Sequence, residues 1–103
     1  MQKNITISGK EYTMKHCVRA RIIFETITGK IWTLATLTDQ YNYMYSAILA
    51  GTPDTTLEYN AFLDALDENP ALVATYQEFM QEALQAEARF IPKGKEDKGE
   101  GKN

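Results

Sequence analysis

Apolar and polar side chains alternate from Asn4 to Lys15. Ile5 and Ile7 fall on one side, Thr6 and Ser8 on the other, and Tyr12 and Met14 resume the pattern after Gly9-Lys10. A period of two is that of a half-buried strand. Glycine at the first central position of a two-residue loop suits a type II′ turn, so the stretch reads as a short β-hairpin turning on Gly9-Lys10. A lone hairpin is marginal in water and must lie on something. From Lys15 or His16 the period lengthens. Val18, Ile22, Ile23 and Ile27 recur at helical spacing with Phe24 beside them, and Glu25 follows Arg21 by four, the spacing of a surface ion pair. This first helix should end at Thr28, with Gly29 as a left-handed C-cap.

The connector Ile31–Leu37 carries Trp32, whose side chain offers the largest single area to bury. Thr36 or Thr38 then caps a second helix, with Asp39 in its first turn, where negative charge is favoured. This helix stops at Gly51, read as another glycine C-cap. Tyr41, Tyr45, Ile48 and Leu49 form its stripe, with Met44 at the edge and Tyr43 nearer the other face. Tyr41, Tyr43 and Tyr45 also alternate as a strand would. The cap before them and Ala-Ile-Leu-Ala-Gly after them favour helix.

Thr52-Pro53-Asp54 is a loop, and Tyr59, Phe62, Leu63 and Leu66 give the apolar face of a third helix. Asn69-Pro70 reads as an N-cap followed by proline at the first helical position, where its missing N–H costs nothing. The fourth helix runs from Pro70 to about Phe90. Leu72, Val73, Tyr76, Phe79, Met80, Ala83, Leu84 and Ala88 form its stripe, and Glu78, Gln81, Glu82 and Gln85 its wet side. Residues 93–103 have no apolar side chain to bury and read as a disordered tail. The expected fold is α+β and mostly α: residues 1–92 as a single domain, an N-terminal hairpin followed by about four helices.

Composition narrows the function. A chain of 103 residues fits one domain with a real core. Its net charge of −3 and scattered basic residues argue against a nucleic-acid partner. The single cysteine, Cys17, forbids an internal disulfide and suits a reducing compartment. No apolar run approaches the ~20 residues of a membrane span, and the N-terminus lacks a signal peptide's apolar stretch. The setting expected is cytoplasmic, with no membrane partner.

The candidate chemistry is thin. Gly29-Lys30 resembles a phosphate loop only superficially. Such a loop sets its glycines before a helix, whose N-terminal amides face the anion, whereas Gly29 follows one. His16 and Cys17 are adjacent, so on a helix they diverge by about 100° and share a proton poorly. Cys17 reads as a small buried hydrophobe and His16 as a surface residue at the helix start. One histidine and one cysteine give no zinc set. From Asp64, a calcium loop would need glycine at position six and glutamate at twelve, where Asn69 and Thr75 stand. No catalytic, cofactor-binding or metal-binding residue is assigned, and the chain is read as a non-enzyme.

The aromatic content of 11% points instead to contact surfaces. Three tyrosines within five helical positions cannot all face inward, and tyrosine gives large contact area at low entropic cost. Tyr41, Tyr43 and Tyr45, with Met44, are therefore the candidate partner-binding residues. Met14, Met44 and Met80 can add adaptable contacts.

The order of features is also specific. A hairpin "ITISGKEYTMK" leads into "RARIIFETITGK"; "TDQYNYMYSAILAG" follows, then "LEYNAFLDALDENPALV" and a last helix. Over about residues 4–90 this resembles the small tail assembly chaperones of long-tailed bacteriophages and their prophages. The resemblance implies a protein that binds the tape measure protein in the host cytoplasm. It would keep that client soluble while tube subunits polymerise, and be absent from the finished virion. It also implies contact with the tail tube protein through a frameshifted longer form, and self-association that extends the binding groove. The family works through surfaces, so no site residue is carried over. Two rivals differ in what they predict: a head–tail connector or tail-completion protein would form rings found in virions, and a small regulatory or antitoxin-like module would form a defined dimer.

Overall fold

A computed structural model describes residues 1–89. The tail expected over 93–103, and Phe90 at the expected end of the last helix, lie outside the described residues. The elements are β1 (Gln2–Ile7), β2 (Lys10–Lys15), α1 (Val18–Thr28), α2 (Leu37–Gly51), α3 (Tyr59–Glu68) and α4 (Ala71–Ala88). The fold is α+β: one antiparallel hairpin followed by four helices. No helix among the described residues is long and apolar enough to cross a membrane.

The hairpin turns one residue earlier than the sequence suggests. Ser8 and Gly9 are its central residues, with φ +51° and +80°, and Ile7 pairs with Lys10. Positive φ at both positions is the type I′ signature, not II′. Lys10 is thereby returned to the strand, and Ile5 sits directly opposite Tyr12. Ile5, Ile7, Tyr12 and Met14 are all buried, so the register was held by the apolar face while the turn adjusted beneath it.

That face packs on α2. The hydroxyl of Thr52 accepts from Thr13 N at 2.8 Å and donates to Thr13 O at 3.2 Å. A Cβ on Gly51 would stand 2.2 Å from Thr13 O. Gly51 is therefore not a left-handed C-cap. It is the last helical residue, followed by Thr52, and glycine is required there because a strand backbone passes against it. Gly29 does cap as expected, at φ +74°, with its N–H donating to Glu25 O.

At the start of α2, Asp39 N donates to Thr36 Oγ1 at 3.0 Å and Thr36 N to Asp39 Oδ2 at 3.2 Å, a reciprocal capping box. At the α3–α4 corner, Ala71 N donates to Asn69 Oδ1 at 3.3 Å, and Pro70 already has helical angles. The helix proper begins at Ala71, so Pro70 stands at the cap position, one place later than expected, and Asn69 accepts the first helical N–H from just outside it.

The core centres on α2. Tyr43, Met44, Ala47 and Ile48 are fully buried, joined by Met14 of the hairpin, Phe24 of α1 and Phe62 of α3. Tyr76, Phe79 and Met80 of α4 complete the same cluster.

Candidate functional site

The four residues expected to meet a partner separate in the structure. Tyr43 and Met44 have no exposed surface, so neither presents itself to another protein. This corrects the sequence reading, which placed Tyr43 on the outer face. Tyr43 turns inward because the hairpin and α1 both cover its side of α2. Burial also pushes its phenol well above the ordinary range. Met14 and Met80 are core as well. Tyr41 and Tyr45 are half-buried.

Tyr45 lines a cleft of about 640 Å³ with Ile27, Lys30, Asp39, Asn42 and Tyr59 among its walls. The Tyr45 hydroxyl donates to Leu57 O at 2.6 Å, and Tyr59 donates to Asn42 Oδ1 at 2.5 Å. The two rings meet edge-on at 5.3 Å. These bonds fix both rings as a rigid wall. Tyr41 lines a smaller cleft with Leu63, Leu66, Asp67 and Val73. Lys30 is engaged within the fold: its Nζ sits 2.7 Å from Asp39 Oδ1. Lys30, first, and then Thr36 hold the buried Asp39 carboxyl below its usual range.

The larger surface lies on α1. Of the stripe expected to face the core, only Phe24 is fully buried and Ile23 half-buried. Val18 (67%), Ile22 (58%) and Ile27 (46%) are exposed, and so are Ile31 (83%) and Leu37 (65%) just beyond. Apolar residues at 18, 20, 22, 23, 24 and 27 wrap too far round α1 to share one stripe. That width was the signal in the sequence, and it was read as a single face.

A third feature was not anticipated. His16 is buried, and its Nδ1 lies 2.7 Å from the Tyr43 hydroxyl. Its Nε2 lies 3.2 Å from Arg21 Nη2 and 3.4 Å from Glu87 Oε1. Arg21 Nη2 also donates to Glu87 Oε2, and its guanidinium stacks 4.6 Å over the Trp32 ring. Arg21 thus pairs with Glu87, far along the chain, and not with Glu25, whose Oε2 accepts from Trp32 N. Trp32 is half-buried rather than the largest buried group, and Cys17 is a half-buried N-cap. Desolvation pulls the imidazole below its ordinary pKa. Arg21, foremost, holds the Glu87 carboxyl below its own.

No protein-family model, curated protein or solved structure matches this chain.

Proposed function

We propose that this chain is a protein-binding module of the tail assembly chaperone kind, which captures apolar helical segments of a tape measure protein and keeps that client soluble. The observation that supports this reading is the row of exposed aliphatic side chains at 18, 22, 27, 31 and 37. Single exposed aliphatics are ordinary on any surface. Five of them between residues 18 and 37, on more than one side of α1 and in the segment after it, are a concentration of the kind that meets protein partners. Ile27 of that set also walls the cleft with Tyr45 and Tyr59. An amphipathic client helix would lay its apolar side chains against α1 and set one anchor in the cleft.

The capture surface is thus α1 with Tyr45, in place of the tyrosine set alone. Co-expression with a tape measure protein tests it. The client is expected to stay soluble with the native chain. It is expected to precipitate with a Val18→Ser, Ile22→Ser, Ile31→Ser triple variant that keeps the native circular dichroism spectrum. A client equally soluble with both chains, or insoluble with both, refutes the assignment. Recovery of the chain from finished particles refutes it in favour of a structural tail protein.

A further inference from the structure

Resting on the capture reading above, we infer that the client segment taken by α1 is acidic: carboxylates flank its apolar side chains and meet the free cations of the hairpin and α1. Charge is divided along the fold. Residues 1–30, which carry the hairpin and α1, hold six Lys or Arg against two Glu. Residues 31–88, which carry α2, α3 and α4, hold nine Asp or Glu and no Lys or Arg. The exposed Val18, Ile22 and Ile27 fall in the basic part, and Ile31 directly follows Lys30.

Pairing inside the fold leaves that division in place. Arg21 is engaged by Glu87, and Lys30 by Asp39. Lys10 lies 5.7 Å from the centre of the Tyr12 ring. Lys3, Lys15 and Arg19 are exposed and make no ion pair among the described residues. On α1, Val18 and Ile22 stand one turn apart, and Arg19 lies about 60° round the helix from Ile22. Glu25, on the other flank, is turned to the connector, where its Oε2 accepts from Trp32 N at 2.9 Å. The exposed carboxylates of α3 and α4 at Asp64, Asp67, Glu68, Glu78 and Glu82 also make no ion pair among the described residues.

Unpaired surface charge acts on whatever approaches. Each exposed pair is weak, but the summed field steers an encounter and selects among partners. An acidic amphipathic helix is drawn to the hairpin and α1 and held off α3 and α4. Its apolar stripe is thereby directed to the exposed aliphatics of α1. A basic helix of the same stripe is drawn to the opposite side, away from them. A nucleic acid asks for a denser run of cations than this surface offers. A helix that lies in a membrane surface carries a large apolar face with Trp, Phe or Leu. The large apolar side chains that α1 exposes are Val18, Ile22 and Ile27, on more than one side of it.

Two synthetic amphipathic helices with the same leucine stripe, flanked by glutamate in one and lysine in the other, test this by fluorescence anisotropy with the full chain. The glutamate peptide is expected to bind about tenfold more tightly at about 50 mM salt, as two or three exposed ion pairs supply, and to lose most of that advantage at about 500 mM. That comparison needs no variant. Lys15→Gln with Arg19→Gln should remove most of the preference. Gln81→Glu with Gln85→Glu shifts the net charge equally, on the exposed side of α4, and should leave the preference intact. Both double variants are expected to keep the native circular dichroism spectrum. Equal binding of the two peptides overturns the inference and leaves capture standing, since client solubility in co-expression decides capture separately. Tighter binding of the lysine peptide, binding of neither, or an equal loss of preference in both double variants overturns it too. Vesicles of phosphatidylcholine and phosphatidylglycerol that bind the chain more tightly than the glutamate peptide would give the face to a membrane. A mass that doubles with protein concentration and excludes the peptide would give it to a second copy. Either result overturns the inference.

Discussion

Helices α1 and α2 pack against each other and are apolar at just over half their positions. Their fates differ. Seven residues of α2 are buried, and only Ala20 and Phe24 of α1. The cause is the number of covering elements. Residues of the hairpin, α1, α3 and α4 all join the cluster around α2, whereas α1 lies at the margin. Apolar spacing makes each segment helical, but tertiary cover decides how much of the apolar surface is used. Among the described residues α1 leaves Val18, Ile22 and Ile27 exposed, whereas the exposed large apolar side chain of α2 is Leu37, at its first position.

Removing a large side chain from each helix should therefore give unequal results. Tyr43→Ala takes a ring from the fully buried core, where it meets His16, Phe24 and Trp32. The expected loss is about 3–5 kcal/mol in urea unfolding, the range for truncating a buried aromatic. A loss under 1 kcal/mol would mean that Tyr43 is not in the core and that α2 is turned the other way.

The next effect sits at the C-terminal end of α2. Gly51→Ala adds a methyl group at 2.2 Å from Thr13 O. The clash is with strand backbone, which yields less easily than a side chain. A destabilisation of about 1–3 kcal/mol is expected, the ordinary cost of overpacking. Were Gly51 instead a left-handed cap, alanine would also cost stability. Asparagine separates the two: it tolerates a left-handed cap, yet at this position its larger side chain should be worse than alanine.

Gly51 also marks where the sequence was legible and where it was not. Local rules were visible: the period-two hairpin, the Thr36–Asp39 cap, the Gly29 terminus and the Asn69-Pro70 boundary all depend on residues within a turn of one another. A glycine at a helix end means either of two things locally, and only the distant strand residue Thr13 decides between them. The same holds for Tyr43. With three tyrosines at alternate positions, spacing cannot say which one the hairpin will cover. His16, Arg21 and Glu87 lie beyond sequence reasoning for the same cause. Their partnership spans 71 positions between His16 and Glu87 and has no local signature. The surplus on α1 was the one tertiary fact with a local trace, in the angular width of its apolar residues.

The smallest stability effect sharpens the contrast most. Ile22 is 58% exposed on the outer side of α1, and its removal opens no cavity. Ile22→Ser should change stability by less than about 0.5 kcal/mol, the usual range for an exposed position away from caps and buried networks. Serine has a slightly poorer helix propensity than a straight-chain residue but one close to isoleucine's, so backbone preference adds little. An isoleucine on a solvated face that costs nothing to remove contributes nothing to the fold that requires it there. If urea unfolding of Ile22→Ser matches the native chain while its capture of client is weakened, the residue serves a partner. If stability falls by 2 kcal/mol or more, Ile22 belongs to the core after all, and α1 differs from α2 only in degree.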